Sequence, residues 1–288
     1  MWALFGLGVL AALAGELVAS IDEEEDYDNE KFSEISSDKR ITRGHHAHRG
    51  QFPHQASLCY STRQRNHCCG GSLISNQWVL TAAHCVKGRN SVNVKLGSNR
   101  LDIKEPGQIA FPSSKIIPHH LYKGPTQDKY FHHDIALVKL PKAVRYNNLI
   151  KPIRLPTNEE AMSKHHGLWG QVSGWGANHT GGDLYPKLKW TRLPITQPGQ
   201  CNLLKGPYAH TQFCTDTVDY KGPGTQGHDV CSGDSGSPYI ADHHLKNTPV
   251  QLGLVSFSTG RCGVGYPSVF THVGSYLPWI KHHTGISG

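Results

Sequence analysis

The apolar residues of this chain occur mainly in short segments that are bounded by Gly, Pro, Asn or Ser. Four segments carry the pattern most clearly: 78–80, 92–96, 135–138 and 252–255. Segments of this length with β-branched residues are typical of strands, and many of them in one chain indicate a β-barrel or a β-sandwich. The final stretch, 276–283, is where we expect a short surface helix. The sequence therefore predicts an all-β fold with a short C-terminal helix.

The first twenty residues differ from the rest in composition. The apolar run 2–14 is shorter than the roughly 18 to 20 residues that a membrane-spanning helix needs. Small residues suit cleavage after Ala14 or after Ser20. We therefore predict a secretory signal peptide over 1–20, a secreted, extracellular protein and no membrane anchor.

Residues 21–40 form an acidic stretch that ends in the pair Lys39-Arg40. Such a segment has too little apolar surface to build a core of its own. Its position before Ile41 predicts an acidic propeptide that is cleaved after Arg40. At this point an acidic solubilising tail beside a chance Lys-Arg pair remains an alternative.

Three local motifs carry chemistry. His84 lies in Thr81-Ala82-Ala83-His84-Cys85, Asp134 lies in His133-Asp134-Ile135-Ala136-Leu137, and Ser235 lies in the glycine-rich stretch 233–238. A serine hydroxyl is a weak nucleophile at neutral pH, so acyl transfer needs an imidazole to take its proton and a carboxylate to fix the tautomer of that imidazole. The chain supplies these groups in the order His, Asp, Ser.

With these motifs, the chain from Ile41 to about Lys281 resembles the trypsin/chymotrypsin family of serine proteases, and its trypsin branch in particular. The resemblance implies two packed six-stranded antiparallel β-barrels, about 41–152 and 153–276, with the active site at their junction. It also implies a serine-type endopeptidase that is made as a zymogen, acts on proteins or peptides as a monomer and needs no cofactor.

The resemblance assigns roles to individual residues. Ser235 is the expected nucleophile, His84 the general base and then acid, and Asp134 the group that orients His84. The N–H groups of Gly233 and Ser235 are expected to form the oxyanion hole. Ser256 matches the serine that supports the aspartate and borders the substrate strand.

The resemblance also implies a route of activation. An activating protease cleaves after Arg40, and the freed ammonium group of Ile41 pairs with the buried carboxylate of Asp234. This chain has Thr42 and Arg43 where the family usually has Val and Gly. We expect the switch to operate despite this departure.

The residue at the base of the primary specificity pocket is Asp229, six positions before Ser235. In the trypsin branch a carboxylate here selects Arg or Lys. Ser258 and Ser268 stand where glycines usually line the pocket walls, and Phe257 replaces the common Trp. We expect cleavage after Arg or Lys at a reduced rate, and the alternative is a narrowed, non-tryptic pocket.

The chain contains eight cysteines. The resemblance implies the disulfides Cys69–Cys85, Cys201–Cys214 and Cys231–Cys262. The remaining cysteines, Cys59 and Cys68, flank a short loop, and we predict that they form a fourth bridge on the leaving-group side of the cleft. No Cys-x-x-Cys pair is present, so the spacing disfavours a zinc site.

Two surface loops lead to further expectations. Asn178-His179-Thr180 is an acceptor pattern for N-glycosylation. Family members often bind calcium in the loop that corresponds to 97–108, but here Ser98 and Gln108 replace the acidic ligands, so we expect no bound metal.

The histidines form six adjacent pairs, at 45–46, 119–120, 132–133, 165–166, 243–244 and 282–283. Neighbours on a strand point to opposite faces, so we expect surface histidines and no shared metal site. A sharper hypothesis is that mild acid charges them and strengthens adhesion to anionic surfaces.

Without residues 1–40 the chain would carry 26 Lys and Arg against 12 Asp and Glu. This charge predicts attraction to heparin-like polyanions and, with no base-stacking motifs present, no specific nucleic-acid binding. The rival function is a cationic polyanion-binding protein on a protease scaffold. The presence of His84, Asp134 and Ser235 together favours the enzyme.

Overall fold

The computed structural model describes residues 41–62, 66–125, 131–197, 201, 211–223, 225–243, 248–258 and 260–288. The predicted signal peptide, the propeptide and the cleavage site at Arg40 lie outside these residues. Within the described ranges, no helix has both the length and the apolar character needed to cross a membrane.

Most regular elements of the described residues are strands, and the others are three short α-helices and one 3-10 helix at Val273–Tyr276. The strands are β1 His45–His46, β2 Gln55–Ser61, β3 Asn66–Leu73, β4 Trp78–Thr81, β5 Val92–Leu96, β6 Ile109–Ser113, β7 Lys115–Pro118, β8 Ala136–Lys139, β9 Trp169–Gly174, β10 Lys189–Pro194, β11 Gln212–Thr215, β12 Pro238–His243, β13 Thr248–Ser258 and β14 Ser268–His272. The α-helices are α1 Ala83–Val86, α2 Asn158–Met162 and α3 Leu277–Thr284.

The first sheet is antiparallel, with the strand order β6-β5-β2-β3-β4-β8-β7. β6 and β7 lie at its two edges, yet only Ser114 separates them in the chain. One bent segment thus pairs with β5 at one edge and with β8 at the other, which closes the sheet into a barrel. Counted as a single strand, this segment gives the six strands that were predicted.

The second antiparallel sheet has the order β1-β10-β9-β12-β13-β14-β11. A bridge between Ile195, just after β10, and Thr215, at the end of β11, joins its two sides. The seventh strand is the two-residue β1, which pairs with β10 although the predicted boundary assigns residues 45–46 to the first barrel. The all-β fold and the C-terminal helix are confirmed.

One apolar cluster contains residues from both sheets and from α3. Leu80 and Leu137 of the first sheet, Leu254 of the second sheet and Ile280 of α3 are all fully buried in it. α3 begins with a proline in its first turn, where the missing N–H has no intrahelical partner to lose. The helix therefore packs where the two sheets meet.

Candidate active site

His84 and Asp134 are brought together by the pairing of β4 with β8. His84 lies in α1 just after β4, Asp134 lies just before β8, and Thr81 pairs with Ala136 between them. The Nδ1 atom of His84 lies 2.7 Å from Oδ2 of Asp134, and the backbone N–H of His84 donates to Oδ1 over 2.9 Å. Both carboxylate oxygens therefore hold the same histidine in place.

The carboxylate of Asp134 is fully buried, and the second barrel supplies a further donor to it. The hydroxyl of Ser256 donates to Oδ2 of Asp134 over 2.6 Å. Ser256 lies where the register of β13 against β14 shifts, between Val255 and Phe257. A bulge of this kind changes the direction of a side chain, and here it lets the second barrel reach the aspartate of the first.

The turn that carries Ser235 lies beside the disulfide next to His84. The N–H of Gly70 donates to the carbonyl oxygen of Ser235 over 2.8 Å. The Sγ atom of Cys85 lies 3.7 Å from that oxygen and also 3.7 Å from Nε2 of His84. Among the described contacts, the hydroxyl of Ser235 makes no hydrogen bond to His84, a contact that is often long in enzymes without substrate.

Gly233 precedes the turn of Ser235 and has a φ of +100°, a conformation that favours glycine. A Cβ atom at this position would lie 2.2 Å from Cδ2 of Leu184, so a side chain would also displace the side chain of Leu184. The N–H groups of Asp234 and Gly236 donate to backbone carbonyls. Within the described residues, those of Gly233 and Ser235 have no acceptor, which leaves two donors for a ligand oxygen.

Four donors surround the fully buried carboxylate of Asp229. Its Oδ1 atom accepts from the hydroxyl of Ser268 and from the N–H of Val230, both over 2.8 Å. Its Oδ2 atom accepts from the N–H of Gly263 over 3.2 Å and from the hydroxyl of Thr217 over 3.3 Å. Burial outweighs these bonds and raises the pKa of Asp229 to about 6.

The two serines expected on the pocket walls face each other, because Ser258 of β13 pairs with Ser268 of β14. The Oγ atom of Ser258 is buried and has no hydrogen-bond partner among the described residues. Phe257 lies against Phe131, with 5.5 Å between ring centroids, and Phe131 lies 5.3 Å from the ring of His84. Sequence reasoning missed Phe131, although it stands only three residues before Asp134.

The segment that would follow the activation cleavage is buried. Ile41 is fully inaccessible, and Thr42 forms a β-bridge with Asp229 and donates its hydroxyl to the carbonyl oxygen of Asp229 over 3.3 Å. The guanidinium of Arg43 donates to the carbonyl oxygen of Gln226 over 2.9 Å. Residues 41–43 thus contact the segment that carries Asp229.

Asp234, next to Ser235, is also fully buried. Its carboxylate accepts from the N–H of Gly176 over 2.8 Å and from the N–H of Cys231 over 2.9 Å. Burial raises the pKa of Asp234 to about 6 despite these bonds. A cation beside this carboxylate would restore its charged form.

The structure joins the cysteines in the four expected pairs, Cys59–Cys68, Cys69–Cys85, Cys201–Cys214 and Cys231–Cys262. In the described part of the chain, one group of potential metal ligands lies close together: Cys69, His84 and Cys85. Because these two cysteines are bonded to each other, they offer no thiolate, and the group is a poor metal site.

The predicted glycosylation site lies beside the Cys231–Cys262 disulfide. The carbonyl oxygen of Asn178 accepts from Gln226 over 2.9 Å, and the hydroxyl of Thr180 accepts from the N–H of Cys262 over 3.0 Å. Asn178 is half-buried, and its glycosylation stays a prediction.

Arg49 contacts the loop 97–108. Family members often bind calcium in the corresponding loop, but in this chain Ser98 and Gln108 replace the acidic ligands. Its Nη1 atom donates to the carbonyl oxygen of Gly97 over 2.6 Å, and its Nη2 atom to that of Pro106 over 2.5 Å. The carboxylate of Glu105 in the same loop accepts from the hydroxyl of Ser98 over 2.8 Å. Protein groups therefore already engage this acid and these carbonyl oxygens.

The chain is similar to known proteins over most of its length. The family model described as Trypsin matches residues 41–280. Collagenase from Hypoderma lineatum is 39% identical over 251 residues, which cover 86% of this chain and 88% of the relative. Trypsin I-P1 from Gallus gallus is 35% identical over 275 residues, which cover 95% and 96%. The solved structure of HL collagenase at 1.7 Å resolution aligns with a TM-score of 0.70 at 38% identity and covers 85% of this chain and 99% of that chain.

Proposed function

The chain belongs to the trypsin family of serine endopeptidases, and from this membership we propose that it cleaves peptide bonds with Ser235 as nucleophile, His84 as general base and Asp134 as the orienting group. The observation that carries the proposal is the set of hydrogen bonds from His84 and Ser256 to the buried carboxylate of Asp134.

In the proposed acylation step, the hydroxyl oxygen of Ser235 forms a bond to the carbonyl carbon of the substrate, and its proton passes to Nε2 of His84. The hydrogen bond from Nδ1 to Asp134 keeps Nε2 unprotonated beforehand and stabilises the imidazolium afterwards. The N–H groups of Gly233 and Ser235 stabilise the negative oxygen. The peptide C–N bond then breaks, and His84 returns the proton to the leaving amine.

Deacylation follows the same course with water as nucleophile. His84 takes a proton from the water, whose oxygen attacks the acyl carbon, and the proton then passes to the departing oxygen of Ser235. The products are the carboxylic acid and the free enzyme. No cofactor enters either step.

The test is covalent labelling of Ser235 with a fluorophosphonate, together with peptidase assays of the processed protein and of the Ser235→Ala variant. We expect the processed protein to be labelled and active, and the variant to be neither. A processed protein that is folded but unlabelled and inactive would favour the rival function, a polyanion-binding protein on a protease scaffold.

We propose that cleavage after Arg40 by another protease activates the enzyme. The support is the burial of Ile41 and of the carboxylate of Asp234, whose raised pKa marks the lack of a sufficient counter-charge. A new ammonium group at Ile41 would provide that charge and order the turn of Ser235. The test compares the uncleaved chain with the chain cleaved at this bond, and equal activity of the two would contradict the proposal.

The primary pocket favours the non-tryptic alternative over cleavage after Arg or Lys. A carboxylate offers about four acceptor positions, and Asp229 already accepts four hydrogen bonds. A basic side chain would have to displace the hydroxyl of Ser268 before it reached the charge. We therefore propose that the enzyme prefers uncharged side chains before the scissile bond, a proposal that also fits its similarity to a collagenase.

Peptides that differ only in this one residue test the preference. We expect the wild-type enzyme to cleave after Leu or Phe faster than after Arg or Lys. Ser268→Gly should raise kcat/KM for Arg substrates by about tenfold relative to Leu substrates, because it frees one oxygen of Asp229. Ser258→Gly widens the same wall without a bond to Asp229 and serves as the matched control. A wild-type preference for Arg or Lys would exclude this proposal.

We further propose that the enzyme is secreted, acts as a monomer on proteins or peptides, and binds heparin-like polyanions as an accessory property. The support is the signal-like segment 1–20, the four disulfides and the excess of basic residues after residue 40. The protein should elute from a heparin column at a higher salt concentration than a neutral protein of similar size. Elution at the same or a lower salt concentration would contradict the proposed binding of polyanions.

A further inference from the structure

Three of the six histidine pairs converge in the fold. The turn after β7 carries His119 and His120, the segment before β8 carries His132 and His133, and α3 carries His282 and His283. The first two pairs meet through a stack of imidazole rings, and α3 joins them through Trp279, which contacts both His119 and His283. The expectation of surface histidines is therefore wrong for His119, which is buried, while His120 and His282 are exposed.

His119 lies at the centre of this histidine cluster and is only 7% exposed. Its ring centroid is 4.5 Å from that of His120 and 5.1 Å from that of His133, and both pairs are stacked. Tyr276 meets the ring edge-on at 5.2 Å, and Trp279 lies 5.1 Å away. The ring is thus stacked with two imidazoles and is also in contact with two aromatic residues.

His133 has a backbone conformation that needs support. Its φ is +54°, which is in the left-handed region that residues with a side chain rarely adopt. Its Nδ1 atom is 3.1 Å from the hydroxyl oxygen of Tyr276, and its ring rests on His119. The next residue in the chain is Asp134, whose carboxylate contacts His84.

The main chain ties His119 to the same segment. The N–H of His119 donates to the carbonyl oxygen of Ile135 over 2.9 Å, and the N–H of Ile135 donates to that of His133 over 2.9 Å. His119 therefore anchors the residues on both sides of Asp134. Its ring stacks with that of His133, and its backbone N–H binds the carbonyl oxygen of Ile135.

We propose that His119 is a positioning residue for Asp134: its neutral imidazole packs against His133 and fixes the backbone from which the carboxylate of Asp134 reaches His84. The inference rests on the proposed orienting role of Asp134. It adds a specific task for a histidine that touches neither substrate nor the reacting atoms.

The surroundings of His119 explain why the ring must stay neutral. The N–H of Leu121 donates to Nδ1 of His119 over 3.3 Å, so this nitrogen is an acceptor and cannot carry the proton. Burial, followed by the neighbouring charges of His120, His133 and His283, lowers the pKa of His119 to about 4. A second proton on this ring would therefore separate the stack in acid.

The titratable and charged groups around the cluster are mainly bases. They are Lys115 in β7, His120 in the turn after β7, His132, His133 and Asp134 before β8, and Tyr276, His282 and His283 in the helical C-terminal part. Burial and neighbouring histidines also lower the pKa of His133 and that of His283. Asp134 is already engaged by His84 and Ser256, so it is not available to neutralise a charge on His119.

The experiment measures kcat per active site, with the sites counted by burst titration, for the processed wild type, His119→Ala, His119→Phe and His120→Ala. At pH 8 we expect His119→Ala to lower kcat by about tenfold or more with KM within about twofold, because a small displacement of a catalytic group is costly. His119→Phe keeps a ring in the stack and should restore kcat to within about threefold. His120→Ala removes the exposed outer ring and should leave kcat within about twofold.

The dependence of kcat on pH is a further measurement, because loss of packing alone would not change it. At pH 4 about half of the His119 side chains are protonated in the wild type, so its kcat should fall about twofold further than that of His119→Phe, which cannot be protonated there. This comparison decides the matter if His119→Ala does not fold.

Two results would overturn the inference: an unchanged kcat per site in His119→Ala, or identical acid limbs in the wild type and His119→Phe. Failure of the proposed function looks different, because the wild-type enzyme would then give no burst and no labelled Ser235 at any pH.

Discussion

Ser256 and His84 bind the same oxygen of Asp134: the hydroxyl of Ser256 lies 2.6 Å and Nδ1 of His84 lies 2.7 Å from Oδ2. A hydrogen bond to a charged group contributes about 1.5 to 3 kcal/mol. If Ser256 fixes the carboxylate for His84, the Ser256→Ala variant should lose about tenfold in kcat/KM. Steady-state kinetics on one peptide substrate measure this. A variant with wild-type kcat/KM would mean that His84 alone holds Asp134 in place.

A buried histidine outside the active site should make the fold less stable in acid. His54 is 7% exposed, and burial lowers its pKa from 6.5 to about 4. Between these values the unfolded chain binds a proton that the folded protein rejects, so the stability that is present above pH 6.5 is lost as the pH falls toward 4. At pH 5 the loss from this one group is about 2 kcal/mol.

The measurement is urea unfolding of wild type and His54→Leu at pH 8 and at pH 5. We expect the variant to lose about 2 kcal/mol less than the wild type between the two pH values. The exposed residue His48 provides the control, since His48→Gln should leave the difference unchanged. Equal losses in wild type and His54→Leu would show that His54 is protonated in the folded protein.

Calcium should not stabilise this enzyme. The guanidinium of Arg49 donates to the carbonyl oxygens of Gly97 and Pro106, and Ser98 donates to the carboxylate of Glu105. Replacing EDTA with calcium should therefore change the Tm of the wild type by less than about 1 °C, since a hard cation needs several free oxygen ligands. A clear calcium-dependent rise in Tm would contradict this expectation.

The Arg49→Met variant tests whether Arg49 stabilises the same loop. It should lower the free energy of unfolding by about 1 to 2 kcal/mol, because two carbonyl oxygens and Glu105 lose a charged partner. Arg145→Met, at an exposed position, is the matched control.

An ion pair at α2 should matter for stability more than a surface pair does. The guanidinium of Arg154 binds both carboxylate oxygens of Glu160, over 2.7 and 2.8 Å, and Glu160 is fully buried. Removing the cation leaves a buried charge, so Arg154→Met should cost about 2 to 3 kcal/mol in unfolding free energy.

The double variant Arg154→Met/Glu160→Gln should recover part of this loss, because no buried charge remains. Chemical denaturation of the single and double variants measures the coupling. Additive effects of the two substitutions would indicate that the pair is not coupled.

Local patterns predicted the strands, the C-terminal helix and the motif residues, because each depends on neighbours in the sequence. The stretch 92–96 is β5, and the expected helix 276–283 is α3 with a shift of one residue. What the sequence did not predict depends on contacts between distant parts of the chain. Asp229 accepts hydrogen bonds from Thr217 and Gly263, and Gly97 accepts one from Arg49. These bonds can form only once the sheets have formed.

The histidine pairs illustrate the same limit. Alternation along a strand predicts that adjacent side chains diverge, but His119 and His120 follow the end of β7 and stack on each other. The pattern also cannot predict that His119 and His133, which come from different segments, stack. The two-residue strand β1 is a similar case, since residues 45–46 have no strand pattern and pair only because β10 offers a free edge.

The adjacent residues Cys68 and Cys69 of β3 bond in different directions, one to Cys59 in β2 and one to Cys85 in α1. Two neighbouring thiols are chemically alike, so the pleat of the strand decides which partner each one meets. A slip of β3 by one residue along β2 would bring Cys69 to Cys59 and turn Cys68 away from it. The two bonds are therefore compatible with only this register of β2 and β3, and once made they lock that alignment beside His84.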